Sequence, residues 1–238
     1  MAKINESGIT TMQYIEKHTT PPKDWDKWFT TANGVKSFDY KKDYQSLTNL
    51  KLAKIFLLDE QHGLCAYCQQ IISLENSSIE HVTPKEHNVN LSTNYFNLVV
   101  VCKTQIKDND GKVHCDKQRL SSLMSPIIFY GNAEANDSKT NTYFGAYADG
   151  SVFAKSNLDE QTKKQAEAFI EVLNLNHTQL KETRAKEVLD GINAIFMSLP
   201  QNQKKAFWKN QYERILQNKS YPFRQFLLSY IGSKIGIN

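Results

Sequence analysis

Four cysteines and a small set of acidic, imidazole and cationic side chains fall together between positions 65 and 115–119 of this chain. Cys65 and Cys68 form a C-x-x-C pair, and Cys102 and Cys115 follow with twelve residues between them. A thiolate is a soft ligand, and Zn²⁺ takes four of them in a closed tetrahedral site, so the four cysteines account for one structural zinc with none left over. The wide second pair is no obstacle, because lengthening a pinned loop costs only about 0.6 kcal/mol per doubling. A redox C-x-x-C and four inert buried thiols are the alternatives. His114, beside Cys115, is a further potential ligand.

Between the cysteine pairs lies Ile79-Glu80-His81-Val82-Thr83-Pro84-Lys85. Phosphodiester hydrolysis needs a hard cation, a base to activate water, and cationic cover for the phosphate. Mg²⁺ prefers oxygen ligands, which Glu80 and Asp116 offer. His81 is the natural general base, since an unperturbed imidazole titrates near neutral pH. Lys85, Lys117 and Arg119 are nearby cations. His87 competes for a place in the metal site, whereas His62 and His177 read as structural or surface residues.

These stretches resemble the zinc-knuckle HNH endonucleases. The motif elements are Cys65-Ala66-Tyr67-Cys68, Glu80-His81 with Pro84, Asn97-Leu98, and Cys102…Cys115-Asp116-Lys117-Gln118-Arg119. The resemblance implies a ββα-metal core, with Glu80 as ligand of a catalytic Mg²⁺ or Mn²⁺, His81 as base, and Asn97 tying the intervening loop together. Asp116 stands where the family has His or Asn, and the third metal-site residue is Asp116, His87 or His114. Arg119 stands where the family often has Lys, in a position to meet phosphate. Further on, Leu173-Asn174-Leu175-Asn176-His177 with Leu180 and Arg184 resembles a segment of one bacterial subfamily that includes PtuB, the nuclease subunit of Septu-type anti-phage systems, also found beside some retrons. That likeness implies a nuclease effector held by a PtuA-like ABC/SMC-type ATPase, with a retron RNA/msDNA assembly as a further partner. The chain carries no G-x-x-x-x-G-K-[ST] loop of its own.

The surrounding elements must position this chemistry. Helical spacing runs from Ser46 to His62 and stops at Gly63; short strands are expected at 71–72 and 79–82, and an apolar run at 97–101 leads into Cys102. Asp149-Gly150 marks a hairpin over 141–155, and four amphipathic helices are expected near 158–174, 177–198, 201–218 and 222–232. The expected architecture is α+β: a ββα-metal nuclease core with a four-cysteine zinc knuckle over 46–125, an N-terminal arm over 1–45 with Trp25 and Trp28 as docking candidates, and a hairpin plus C-terminal helices over 126–238.

Of the 238 residues, 40 % are hydrophobic and 23 % charged, which supports a packed core and argues against general disorder. No run of eighteen apolar residues and no signal-like start are present, so a cytosolic protein without a membrane span is expected, where clustered thiols favour metal over disulfides. The net charge of +4 suits a polyanionic partner without demanding one. From 201 onward seven Lys/Arg face the single acid Glu213, interleaved with Phe207, Trp208, Tyr212, Tyr221, Phe223, Phe226 and Tyr230. This is either a stacking surface for nucleic acid or an amphipathic helical pair with an aromatic core. Nothing in the sequence separates DNA from RNA as substrate. A non-catalytic zinc adaptor and a stand-alone HNH nuclease remain as alternatives to the complex-bound nuclease.

Overall fold

Helix α2 (Leu50–Glu60) buries Ala53, Leu57 and Leu58 and ends where His62 and Gly63 both turn left-handed, at φ 55° and 72°. Gly63 N–H then closes back on the Leu58 carbonyl at 2.8 Å, so the Gly63 stop operates one residue later than a minimal cap. The computed structural model describes residues 15–29, 49–103, 106–123, 130–132 and 143–237. Much of the expected arm over 1–45 and the start of the Ser46 helix lie outside them.

Strand β2 (Ser77–His81) pairs antiparallel with β3 (Leu98–Cys102), in the register Glu80 opposite Val99 and His81 opposite Leu98. β3 is buried at every position, as an apolar Val-Val-Val run demands. The strand expected over 79–82 thus pairs with the apolar run that leads into Cys102. Ile71 makes only an isolated bridge with Leu64 inside the cysteine turn and is itself exposed, so the buried 98–102 run takes the pairing. Gln61 fastens α2 to β3: its amide donates to the Leu64 and Val100 carbonyls at 2.9 and 2.7 Å, and its oxygen accepts from Val100 N–H at 2.7 Å. The short helix α3 (Asp116–Arg119) follows Cys115 directly. The chain order is therefore strand, strand, helix around the four cysteines.

Two other small sheets are present among the described residues. Strand β1 (Ile15–Lys17) pairs in parallel with β4 (Tyr130–Asn132), and β5 (Phe144–Ala146) pairs with β6 (Val152–Ala154) around Asp149-Gly150. Gly150 has φ 85°, and a Cβ there would fall 2.0 Å from the Lys181 carbonyl oxygen, so the turn needs glycine both for its conformation and for its close approach. The rest is helical: α1 (Trp25–Trp28) in the N-terminal part, then α4 (Glu160–Val172), α5 (Thr178–Glu182), a π-helical segment (Thr183–Leu189), α6 (Asp190–Ser198), α7 (Gln201–Gln217) and α8 (Arg224–Ile235). The architecture is α+β, with small sheets among many helices.

Burial decides two surface assignments. Trp25 and Phe29 are buried; the Trp25 ring meets Phe29 at a tilt and Phe56 and Tyr95 edge-on, and its indole donates to the Thr93 carbonyl at 2.8 Å. Trp25 is a core residue and not a free docking group. Lys17 is buried there too, ion-paired with Glu60 at 3.0 Å. In the C-terminal part Phe207, Trp208, Tyr212, Phe223, Phe226 and Tyr230 are buried, which is the amphipathic-pair arrangement. Arg224 is likewise buried and donates to the Ile215 and Leu216 carbonyls at the end of α7.

Candidate metal centre and carboxylate site

Cys65 and Cys68 sit on a tight turn closed by Gln69 N–H to the Cys65 carbonyl at 3.0 Å, with Gln69 left-handed at φ 63°. Cys102 ends β3, and Cys115 begins α3 with φ 58° and ψ −138°, a sparsely populated conformation for a non-glycine residue. The four sulfurs lie within 4.8 Å of one another and all four residues are buried. A tetrahedron with bonds of about 2.3 Å has edges of about 3.8 Å; Cys68 and Cys102 stand 3.9 Å apart. The donor set and its spacing fit a zinc ion. Burial pushes the Cys68 and Cys115 thiols well up. Cys65 goes the other way: against its own burial, hydrogen bonds among the thiols hold it well below the usual range. His114 Nδ1 lies 3.1 Å from Cys115 Sγ and 3.9 Å from Cys102 Sγ, which makes it a neighbour of the four sulfurs. Burial lowers its pKa to about 4, so the ring is neutral.

This arrangement brings α3 against the end of β2. Glu80 is buried, and its Oε1 accepts from Arg119 and from the Tyr67 hydroxyl, the latter at 3.2 Å. The Asp116 carboxyl faces it and acts on it electrostatically. Burial first, then the facing Asp116 charge, pushes the Glu80 carboxyl up to about 8. Two facing carboxyl groups suit a hard divalent cation.

Arg119 is 1 % exposed. It also donates to the Tyr67 oxygen at 2.9 Å and to the carbonyls of His81, Val82 and Ser122 at 3.1, 2.7 and 3.0 Å. That placement makes it a strut under Glu80; a phosphate contact, as expected from its family position, would require breaking these bonds. Lys85 and Lys117 stand closer to solvent, and Lys85 feels the Asp116 charge.

His81 is 5 % exposed and its Nε2 lies 2.9 Å from the Ser92 carbonyl oxygen. A carbonyl only accepts, so the neutral ring carries its proton on Nε2 and Nδ1 is the basic nitrogen. Desolvation lowers the imidazole pKa, which favours the neutral form. Ser92 is held in place through Asn97, whose amide accepts from Thr83 N–H at 2.7 Å and donates to the Thr83 and Leu91 carbonyls at 3.0 and 3.1 Å. His87, the rival for the metal site, is exposed and its Nε2 meets the Ser121 carbonyl at 3.0 Å.

The Leu-Asn-Leu-Asn segment, visible in sequence only as a likeness, acquires definite roles. Cys115 N–H donates to the Leu173 carbonyl at 2.8 Å, and Asn174 donates to the Val113 carbonyl at 2.8 Å. Asn176 mimics a strand toward Val152, accepting at 2.8 Å and donating at 2.9 Å. His177 caps α5 and touches the Lys112 carbonyl at 3.2 Å, the structural work expected of it. Tyr67 has no counterpart among the sequence expectations. A buried tyrosine inside C-x-x-C, facing a glutamate twelve residues past the second cysteine, carries no periodic signal.

The chain is 25 % identical over 149 residues to the "Retron Vc95 putative HNH endonuclease" of Vibrio cholerae serotype O1 biovar El Tor, covering 61 % of this chain and 67 % of that protein. No family model matches the chain. The similarity supports a nuclease of HNH type, and the cysteine cluster supports a bound metal.

Proposed function

We propose that this protein is a metal-dependent HNH endonuclease that hydrolyses phosphodiester bonds of nucleic acid. The observation that carries the proposal is the meeting of the Glu80 and Asp116 carboxyls, 36 positions apart in sequence, beside His81 and next to a four-cysteine cluster. In this reading Cys65, Cys68, Cys102 and Cys115 hold a structural zinc, and Glu80 and Asp116 hold Mg²⁺ or Mn²⁺. When bound, that cation supplies electrostatic stabilisation of the phosphate in the transition state. His81 accepts the proton of the attacking water at Nδ1, with the Ser92 carbonyl fixing the tautomer. Asn97 holds the loop that carries Ser92. Arg119 and Tyr67 keep the Glu80 carboxylate in place. Lys85 and Lys117, nearer to solvent, are the cations that meet the phosphate.

The finer assignment is a nuclease effector of anti-phage defence. It draws on the PtuB-like motif segment and on the retron named in the relative's description. The proposed partner is a PtuA-like ATPase that regulates cleavage.

The test is cleavage of supercoiled DNA and of tRNA, with Mg²⁺ or Mn²⁺, by the chain alone and with a co-expressed genomic neighbour. His81→Ala is expected to lower the single-turnover rate by about 10²–10⁴-fold while zinc content and circular dichroism stay unchanged. Undiminished cleavage by that variant would remove His81 from the mechanism. Inactivity of the wild-type protein on both substrates, with both metals and the neighbour present, would favour the adaptor alternative.

A further inference from the structure

The β5–β6 hairpin has two unlike faces. Side chains alternate along a strand, and the register sets Phe144 opposite Ala154, Gly145 opposite Phe153 and Ala146 opposite Val152. Phe144 and Val152 are buried, so their face belongs to the core. Backbone bonds from Tyr147 to Ser151 and from Lys155 to Tyr143 extend the ladder at both ends. The other face therefore carries Tyr143, Gly145 and Tyr147 beside Ser151, Phe153 and Lys155, with no carboxylate among them. Asp149, in the turn, is engaged by Ser151 and Lys181. Gly145 lets Phe153 lie across this face, since a Cβ there would fall 2.3 Å from the Phe153 ring. Tyr147 stacks on Phe153, with ring centroids 4.2 Å apart and 27° between the planes. Tyr147 is nevertheless 57 % exposed, so its outer ring face meets solvent.

Beside Phe153 this face opens into a cavity of about 350 Å³ shared with α8, lined among others by Lys155, Ser156, Asn157 and Ser229. Burial lowers the pKa of Lys155, and no carboxylate offsets it. Three other cavities of the described residues each include an acid: Glu213 in one, Glu75 in another, Glu167 and Glu171 in the third. The hairpin cavity offers a cation, hydroxyls and an amide without one. A cation with hydrogen-bond donors suits a phosphate, and an open aromatic ring next to it suits a base. Stacking rings along a cationic track are how single strands are held without reading their sequence. We propose that Tyr147, Phe153 and Lys155 form a binding face for single-stranded nucleic acid, with a base stacked on Tyr147 and a backbone phosphate held by Lys155, Asn157 and Ser229. This rests on the nucleic-acid reading of the chain and adds a place, on residues outside the carboxylate site, where a strand is gripped.

The experiment follows the fluorescence anisotropy of labelled oligo(dT) and oligo(U) with the full chain and no added Mg²⁺ or Mn²⁺, so that binding is read without cleavage. Tyr147→Ala is expected to weaken binding by about 5–150-fold, the loss of one stacked base, while Tyr147→Trp stays within a few-fold of wild type. Its affinity for a labelled duplex, whose bases are already stacked on one another, is expected to be unchanged by Tyr147→Ala. Lys155→Gln is expected to weaken binding and to lower the slope of log affinity against log salt by about 0.7, one phosphate contact to a single strand. A purely structural role would move the melting temperature and leave that slope alone. Binding of either polymer supports the proposal. No binding by wild type, wild-type affinity in Tyr147→Ala, an unchanged slope in Lys155→Gln, or an equal loss on duplex overturns it. Displacement of the label by dTMP as effectively as by unlabelled oligonucleotide also overturns it, in favour of a free-nucleotide site. Should Lys155→Gln not fold, the two Tyr147 variants decide. Undiminished cleavage by His81→Ala would fault the nuclease mechanism and leave this face standing, whereas active wild type whose hairpin variants bind normally would overturn this face alone.

Discussion

Glu80 is held by three unlike neighbours, and each does different work. Arg119 compensates its charge, Tyr67 donates a hydrogen bond, and Asp116 opposes its ionisation. Removing the guanidinium leaves Glu80 Oε1 and the His81 and Val82 carbonyls without that donor, and an unsatisfied buried acceptor costs about 1–3 kcal/mol. Arg119→Met is therefore expected to lower stability by that order, read as an earlier urea midpoint at unchanged slope. A variant of wild-type stability would mean that Glu80 and Tyr67 satisfy each other without the guanidinium. The identities of Glu80, His81, Asn97 and Asp116 as chemically capable residues were legible in the sequence, because carboxylates and imidazoles clustered near cysteines are few. The commitment of Arg119 was not. A cation three residues into a short helix reads as surface until the carbonyls of His81, Val82 and Ser122 are seen to converge on it.

At the scale of elements, the β2–β3 hairpin and α3 owe their mutual placement to the cysteines. Cys102 terminates β3 and Cys115 starts α3, so one cluster fixes the end of a strand relative to the start of a helix. α3 has only four residues, too few for a stable helix by itself, and the left-handed backbone at Cys115 and Leu120 on either side adds strain. Its stability must come from outside. Cys115→Ser is therefore expected to lower zinc from about one ion per chain to near zero and to abolish Mg²⁺-dependent cleavage, since Asp116 would lose its position opposite Glu80. Elemental analysis alongside the nicking assay checks this; retention of zinc with three cysteines would point to His114 as a replacement ligand. Helices α2, α4 and α7 were readable from apolar residues at helical spacing and the breaks between them, and α8, buried on nearly every side, from its apolar content. The pairing of β2 was not, because the 71–72 and 97–101 stretches could each offer a partner and only burial of the 98–102 run selects between them.

In the molecule as a whole, the cysteine turn is where distant segments meet. The Gln69 carbonyl accepts from Phe223 N–H at 2.9 Å and its side chain accepts from Gln225 N–H at 3.1 Å, which anchors the start of α8 to the knuckle. Phe226, 1 % exposed, packs under Arg184 on the same side. Phe226→Ala is expected to cost about 3–5 kcal/mol, measured as a shift of the urea midpoint. If the C-terminal helices and the nuclease core unfold as one unit, Trp25 and Trp28 on one side and Trp208 on the other report coincident transitions in zinc-loaded protein. Chelation is expected to separate them; coincidence without metal would show that the two parts are joined independently of the knuckle. The sequence by itself determined the helices, the hairpin at Asp149-Gly150 and the inventory of metal-capable residues, because periodicity, turn chemistry and side-chain donor type are local properties. Only the tertiary structure decided that Cys102 and Cys115 join Cys65 and Cys68, that Asp116 faces Glu80, and that Arg119 and Arg184 are buried among carbonyls. Those facts depend on which distant segments share the core, and burial, which sets the cost of every unpaired charge, has no signature in spacing alone.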